Sequence, residues 1–337
     1  MSRVTLKSIA AETGLSKFAV SRALAGKSGV SEETRVRVSE AAARLGYKKP
    51  APAGRTTFGI VFDDTEAINS ELYMQIQSGA QREAQRLGLS VRIHWTHDPD
   101  ELDAFIHDSA GLLMVGPHDP RAVARARASG KPLVRNGWLE PLEPVDQIGG
   151  TDCEAGSAVA KYLLRLGHRD IAYVHGDTRY RGRMERLYGL REVMEMLDDV
   201  RLRDMTWPDD QSFAQALDRL GTADAFPTAF FCAHDGIAVT VISELRARGY
   251  RIPEDASVVG FGDFSAAQQI LPQLTTVKMP GFDIGAMSVH LLRDRVESSG
   301  RPSTPMRLHL TSHIVERQSA GPAPQPAKRL DATAAVV

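Results

Sequence analysis

TLKSIAAETGLSKFAVSRAL (Thr5–Leu24) decides the fold of the N-terminal region. Leu6, Ile9, Ala10 and Thr13 recur at helical spacing, and Gly14 stops that segment. Ser16 then offers its hydroxyl to the open amides of a second helix that runs to about Ala25, ahead of Gly26. Ser31 caps a third helix, with Glu32 and Glu33 in the first turn, where the helix dipole favours negative charge. Val36, Val38, Ala41, Ala42 and Leu45 form its expected buried stripe. Two short helices joined by a tight Gly-containing turn and braced by a third predict a helix-turn-helix.

In the second helix Val20, Ala23 and Leu24 face inward. Lys17/Ser21 and Phe18/Arg22 are then i,i+4 pairs on the outward edge. That edge suits the major groove of DNA. Arg22 can offer two parallel donors to guanine, Lys17 can reach a guanine or a phosphate, and Phe18 can pack on a thymine methyl. Ser16, Ser31, Thr34 and the amides they cap suit phosphate oxygens. An ordinary amphipathic three-helix surface is the competing reading.

Charge supports the first reading. Residues 1–55 hold eleven Lys and Arg against four Glu, a balance of +7 within a chain of net charge −1. A small basic module joined to a larger acidic one points to a polyanion partner for the first part alone. The 337 residues predict two or three domains. The sequence shows no long apolar run and no basic-then-apolar leader, so a cytoplasmic protein is expected, with no membrane partner. Cys153 and Cys232 form no CxxC pair and read as buried thiols in a reducing compartment.

Val4–Tyr47 closely resembles the DNA-binding headpiece of the lac-repressor (LacI/GalR) family. The elements T-L-x-x-I-A, G-[LV]-S, V-S-R-[AV]-L, G-V-S-x-x-T-R and L-G-Y appear in order. The resemblance implies that Lys17, Phe18 and Arg22 read bases. It implies that Thr5, Ser16, Ser21, Ser31 and Thr34 hold the DNA backbone.

Beyond Gly54 short apolar runs alternate with helical stretches. Strands are expected at 58–64, 89–95, 111–116, 131–136, 170–176, 229–235 and 256–262. Helices are expected between them, at Tyr73–Leu87, Glu154–Leu166, Arg183–Leu197 and Gly236–Arg248. The alternation predicts parallel sheets covered on both faces, with ligand beyond the carboxyl ends of the strands. Those ends are polar: Asp63 and Asp64, His118 and Asp119, Asn136 with Trp138, His234 and Asp235, and Asp263.

This part resembles the effector-binding core of the same family, itself similar to periplasmic sugar-binding proteins. LGHRDIAYVHG (166–176), RMERLYGL (183–190), PTAFFCAHDGIA (227–238), RGYRIPEDASVVGFGD (248–263), LPQLTTVKMP (271–280) and VERQS (315–319) carry the likeness. The implied fold is a helix-turn-helix headpiece at 1–49, a short Pro-rich linker at 50–57 and an α/β two-lobed core of two parallel sheets at 58–319. The N-lobe is expected at about 57–149 and 277–304, the C-lobe at about 150–276 and 305–319. The tail, 320–337, reads as disordered.

The resemblance implies effector contacts at Asp63, Tyr73, Arg186 and Asp235. Arg186 offers a planar two-donor grip, and Tyr73 and Trp138 can cover an apolar sugar face. Two departures alter the pattern. Gly262 stands where the family usually has an acid, which follows at Asp263, and His234 stands where it usually has Asn. Both His234 and Asp263 are therefore expected in the site.

The linker departs as well. Family members carry a longer joint here that forms a hinge helix, with a Leu that wedges a central base step. This chain has Pro50 and Pro52 around Ala51 and no large apolar residue between Tyr47 and Phe58. An extended tether and an unkinked operator centre are expected.

The function expected is a sequence-specific transcription regulator, a repressor, acting as a homodimer on an inverted repeat of double-stranded DNA under a small-molecule effector, a sugar or related metabolite. A ligand sensor without DNA binding is the alternative. No GxSxG, Walker A, GxGxxG or HExxH motif is present, and no enzyme activity, metal or cofactor is expected.

Overall fold

The computed structural model describes residues 6–16, 19, 20, 23, 31–45, 56–63, 70–137, 139–176, 180–207, 212–220, 226–298 and 304–324. The chain divides into two compact units, Met1–Thr56 and Thr57–Val337.

The smaller unit contains α1 (Leu6–Thr13), helical residues at Ala19, Val20 and Ala23, and α2 (Glu32–Arg44). Gly14 takes a left-handed φ of 67°, ending α1 where a side chain would be strained. Ser16 Oγ accepts from the Ala19 amide at 3.1 Å, and Ser31 Oγ accepts from the Thr34 amide at 3.3 Å. Both hydroxyls thus satisfy amides at the starts of helical segments. Ile9, Val20, Ala23, Val38, Ala41 and Ala42 form one buried cluster. Val36 is 51% exposed and does not belong to the stripe assigned to it. It stands two residues from Val38, about 200° around the helix, and cannot share its face.

The larger unit holds two six-stranded sheets. β1 (Thr57–Phe62), β2 (Ser90–Trp95), β3 (Leu112–Val115), β4 (Leu133–Asn136), β5 (Asp146–Gly150) and β11 (Arg307–Leu310) form the first, in the order β11-β5-β4-β3-β1-β2. All its pairings are parallel. β6 (Asp170–His175), β7 (Arg201–Thr206), β8 (Ala229–Cys232), β9 (Ser257–Gly262), β10 (Thr275–Lys278) and β12 (His313–Val315) form the second, in the order β12-β10-β9-β8-β6-β7. Only β12 runs antiparallel there. β1, β3, β8 and β9 are buried along nearly their whole length, as covered central strands must be.

The helices are α3 (Ser70–Arg86), α4 (Leu102–His107), α5 (Pro120–Ala128), α6 (Asp152–Arg165), α7 (Arg181–Met194), α8 (Phe213–Leu220), α9 (Asp235–Ala247), α10 (Ser265–Gln269) and α11 (Gly281–Glu297). In each lobe one helix pair packs backbone to backbone. A Cβ on Gly285 of α11 would overlap the Ile76 carbonyl of α3, and one on Gly189 of α7 would overlap the Cys153 carbonyl of α6.

Three boundaries differ from expectation. β11 pairs with β5, so residues 307–310 belong to the first lobe's sheet, and the last crossing falls between Leu310 and His313. β10 keeps Val277 and Lys278 in the second sheet, so the preceding crossing follows Lys278. Residues 320–324 are ordered: the Ala323 amide donates to the Leu166 carbonyl at 2.8 Å, and buried His168 lies 3.0 Å from both the Gly321 carbonyl and Ser257 Oγ. The remainder of the expected tail and linker residues 50–55 lie outside the described residues.

Candidate functional site

A cleft of about 800 Å³ opens at the carboxyl ends of the strands of both sheets, within the size range of small-molecule sites. Gly116, Asn136 and Gly150 reach it from the first sheet, Ala233, His234 and Phe261 from the second, and Met279 from a crossing segment.

On the first-lobe side, Tyr73 of α3 is buried and lines the cleft. Phe62 stacks on Trp95 at 4.6 Å and meets the Tyr73 ring at 5.6 Å, so the ends of β1 and β2 hold that ring in place. Asn136 Nδ2 donates to the Ile148 carbonyl at 2.8 Å, tying the end of β4 to β5.

The second-lobe wall is ionic. Arg186 of α7 donates through Nε to Asp152 Oδ1 at 2.8 Å and through Nη1 to the Ala233 carbonyl. Its guanidinium carbon lies 3.4 Å from the Phe261 ring centroid, so the group is held on three sides. Arg183, one helical turn earlier, is buried in the same wall with its guanidinium 4.7 Å over the Tyr180 ring. His234 caps α9: its Nδ1 accepts from the Gly236 amide at 2.9 Å. An accepting Nδ1 puts the ring proton on Nε2, which is buried and has no partner among the described residues. Burial first, then Arg183 and Arg186, push the imidazole pKa down to about 3. His234 is a neutral donor at physiological pH.

Three of the expected effector residues, Asp63, Asp235 and Asp263, are not among the residues that line the cleft. Asp235 is fully buried and does not line the cleft. Its Oδ1 accepts from Thr276 Oγ1 at 2.5 Å and its Oδ2 from the Phe264 amide at 2.7 Å. Burial drives its carboxyl up to about 6 against those two bonds. Asp263, in a left-handed φ of 56°, turns its carboxylate to Arg317 Nη2 at 2.5 Å and Lys278 Nζ at 3.3 Å. Asp63 is buried at the end of β1 and is absent from the lining; the position of a Cβ on Gly116 would fall 2.9 Å from its own Cβ. Tyr73, Arg186 and His234 do line the cleft, and Trp138 lies outside the described residues.

Sequence reasoning missed Arg183, Phe264 and Asp152. Arg183 was findable, since RMER places two arginines three apart on one helical face. Of the expected DNA contacts, Ser16, Ser31 and Thr34 are described, with Ser31 Oγ and Thr34 Oγ1 2.8 Å apart. Thr5, Lys17, Phe18, Ser21 and Arg22 lie outside the described residues or have no described side chain.

Comparisons with known proteins define the class first. Residues 160–320 match the periplasmic binding protein-like domain, and residues 5–49 match the bacterial regulatory proteins of the lacI family. A helix-turn-helix joined to a periplasmic-binding-protein-like core defines a ligand-responsive DNA-binding regulator. The chain belongs to the LacI family of transcriptional regulators. It is 26% identical to the HTH-type transcriptional regulator DegA of Bacillus subtilis, over 95% of this chain and 99% of that one. The solved complex of the transcriptional regulator CelR with cellobiose is similar at 28% identity and a TM-score of 0.68, over 94% of this chain and all of that one. The lac repressor dimer bound to operator and an anti-inducer shares the fold, with a TM-score of 0.69 at 23% identity, over 95% of this chain and all of that one. Among the described residues no helix is long and apolar enough to cross a membrane.

Proposed function

We propose that this regulator is a cytoplasmic repressor that binds an inverted-repeat operator as a homodimer and responds to a small metabolite of carbohydrate size held between its lobes. The observation that carries the effector reading is the cleft itself: about 800 Å³, open at the strand ends and walled by both lobes. The cellobiose of the CelR complex supports a carbohydrate-sized ligand. Tyr73, Arg186 and His234 are the ligand contacts of this reading, joined by Arg183 and Phe264. Closure has a tie already in place, because Ser265 of the second lobe donates from its amide and its hydroxyl to the Glu71 carboxylate of the first, both at 2.9 Å. An effector that favours one lobe arrangement shifts operator affinity by about 1–3 kcal/mol.

In the headpiece, Arg22, Lys17 and Phe18 read bases, while Thr5, Ser16, Ser21, Ser31 and Thr34 hold phosphates. Selection of binding sites from random DNA, followed by release of the bound site with a metabolite collection, tests both halves. Arg22→Ala should cost about 1–3 kcal/mol and relax preference at one symmetric operator position. Unchanged specificity would refute major-groove docking of that helix. On the selected site, circularly permuted gel shifts should show no sharp central bend, given the proline-bracketed joint.

A further inference from the structure

The first-lobe rim of the cleft carries a side chain in an unfavourable setting. Between β4 and β5 the Glu143 amide donates to the Glu140 carbonyl at 3.0 Å, closing a tight turn with Pro141 second and Leu142 third. Leu142 has a φ of 59°. Proline followed by a residue of positive φ is the pattern of a type II turn, whose third position favours glycine. A leucine there crowds its Cβ against the following carbonyl oxygen. The other non-glycine residue in this region among the described residues is Asp263, a type that tolerates it better. Its carboxylate is bound to Arg317 and Lys278. Leu142 has no such compensation: it is 97% exposed, and it lines the cleft.

The turn is firmly held. Glu143 Oε2 accepts from Arg135 Nη1 at 3.0 Å and from the Glu140 amide at 3.1 Å, with both side chains of the ion pair buried. Arg307 of β11 donates to the Glu143 carbonyl at 2.6 Å, and Gln147 of β5 donates to the Gly137 carbonyl at 2.7 Å. Sheet and turn thus fix an apolar side chain at the rim, where glycine would fit without strain and water covers nearly all of the leucine. Strained residues held this way gather at ligand clamps and switch regions.

We infer that Leu142 is an effector contact that selects ligands longer than one sugar ring. The inner unit meets Tyr73, Arg186 and His234, and Leu142 packs on an apolar face of the outer unit at the rim. This rests on the reading of the cleft as the effector site. Its volume of about 800 Å³ lies in the upper half of the range for small-molecule sites and leaves room for the second unit.

Calorimetry on the full chain can compare glucose with cellobiose and p-nitrophenyl β-glucoside, and galactose with melibiose and p-nitrophenyl α-galactoside. A collection of one-ring and two-ring metabolites extends the comparison, with operator binding measured in parallel. The expected result is a two-ring compound that shifts operator affinity and binds about tenfold or more tighter than its one-ring partner. Leu142→Gly should erase most of that advantage and leave the one-ring partner within about twofold. It should also keep or raise the thermal unfolding midpoint, because the strain goes with the side chain, whereas loss of a merely structural leucine would lower it. Leu142→Asn, which also tolerates a positive φ, should bind like the glycine variant. Two-ring binding that both variants retain in full overturns the Leu142 contact and leaves the effector reading standing. So does a one-ring effector that binds as tightly as every two-ring compound. A variant that alters oligomeric state and not ligand affinity places Leu142 against another copy of the chain and overturns the contact as well. Intact operator binding with no ligand from either set overturns the contact and the effector reading together.

Discussion

The two lobes share a plan and divide the chemistry. Each has a six-stranded sheet with its carboxyl ends toward the cleft, and each locks one helix pair through a glycine that lets backbones touch. Their cleft faces differ. Leu72, Tyr73, Pro117 and Asn136 give the first lobe a largely neutral wall, with exposed Glu140 and edge-strand Arg307 as its charged groups, whereas Arg183, Arg186, His234 and Asp152 make the second wall ionic. A groove assembled from unlike halves can let one half recognise charge and the other cover the ligand. Recognition and closure are then separable by mutation.

The largest effect is expected where the charge sits. Arg186→Ala strands Asp152 and uncovers Phe261, and loss of one partner of a largely buried, hydrogen-bonded ion pair costs about 3–5 kcal/mol. Effector affinity should fall more than about a hundredfold, while operator binding without effector stays within a few-fold. Tyr73→Phe on the opposite wall keeps the tilted ring contact with Phe62 and should change affinity about tenfold at most. Equal losses at the two sites, measured by calorimetry, would break the division of labour between the lobes.

The shared plan is tested by an expected equality. Gly189→Ala and Gly285→Ala each push a methyl into a main-chain carbonyl of the partner helix, and neither backbone can yield without parting its pair. Each should cost about 3 kcal/mol in denaturant unfolding, the upper end for overpacking. A large cost in one lobe with none in the other would show that the helix pairs are not equivalent.

How much of this was legible in the sequence follows from where each residue's partner lies. The headpiece caps at Ser16 and Ser31 bond amides three residues away, so local spacing was enough. All seven expected strands are present: six are inner strands written as apolar runs, and the edge strand β2 (SVRIHW) alternates apolar Val91, Ile93 and Trp95 with polar residues. β5 (DQIGG), β7 (RLRDMT), β10 (TTVK), β11 (RLHL) and β12 (HIV) went unread, since short or half-exposed strands carry no such run. The carboxylates misled for the opposite reason. An Asp at a strand end looks the same whether it faces ligand or protein. Asp235 finds Thr276 and Phe264 from 41 and 29 residues away, and Asp263 finds Arg317 from 54. No local pattern records such partners.

A pH dependence also separates Asp235 from the ligand wall. Its carboxyl titrates at about 6 in the folded protein against an ordinary value of 3.8. Between those values the native state holds a proton that the unfolded chain has released, so this group's contribution to stability falls as pH rises. From pH 4 to pH 7 the loss amounts to about 2–3 kcal/mol. Asn at this position can accept from the Phe264 amide and donate to Thr276 Oγ1, which then serves as acceptor, so Asp235→Asn should fold and lack this slope. The quantity to measure is the difference in unfolding free energy between wild type and variant across that range, because every other titrating group cancels in it. The difference should favour the variant more with each step up in pH. Effector affinity at neutral pH should stay within a few-fold of wild type, because the carboxylate faces protein donors. A flat difference would mean the carboxyl is solvated and ionised throughout. A lost ligand response in a stable variant would return Asp235 to the cleft wall.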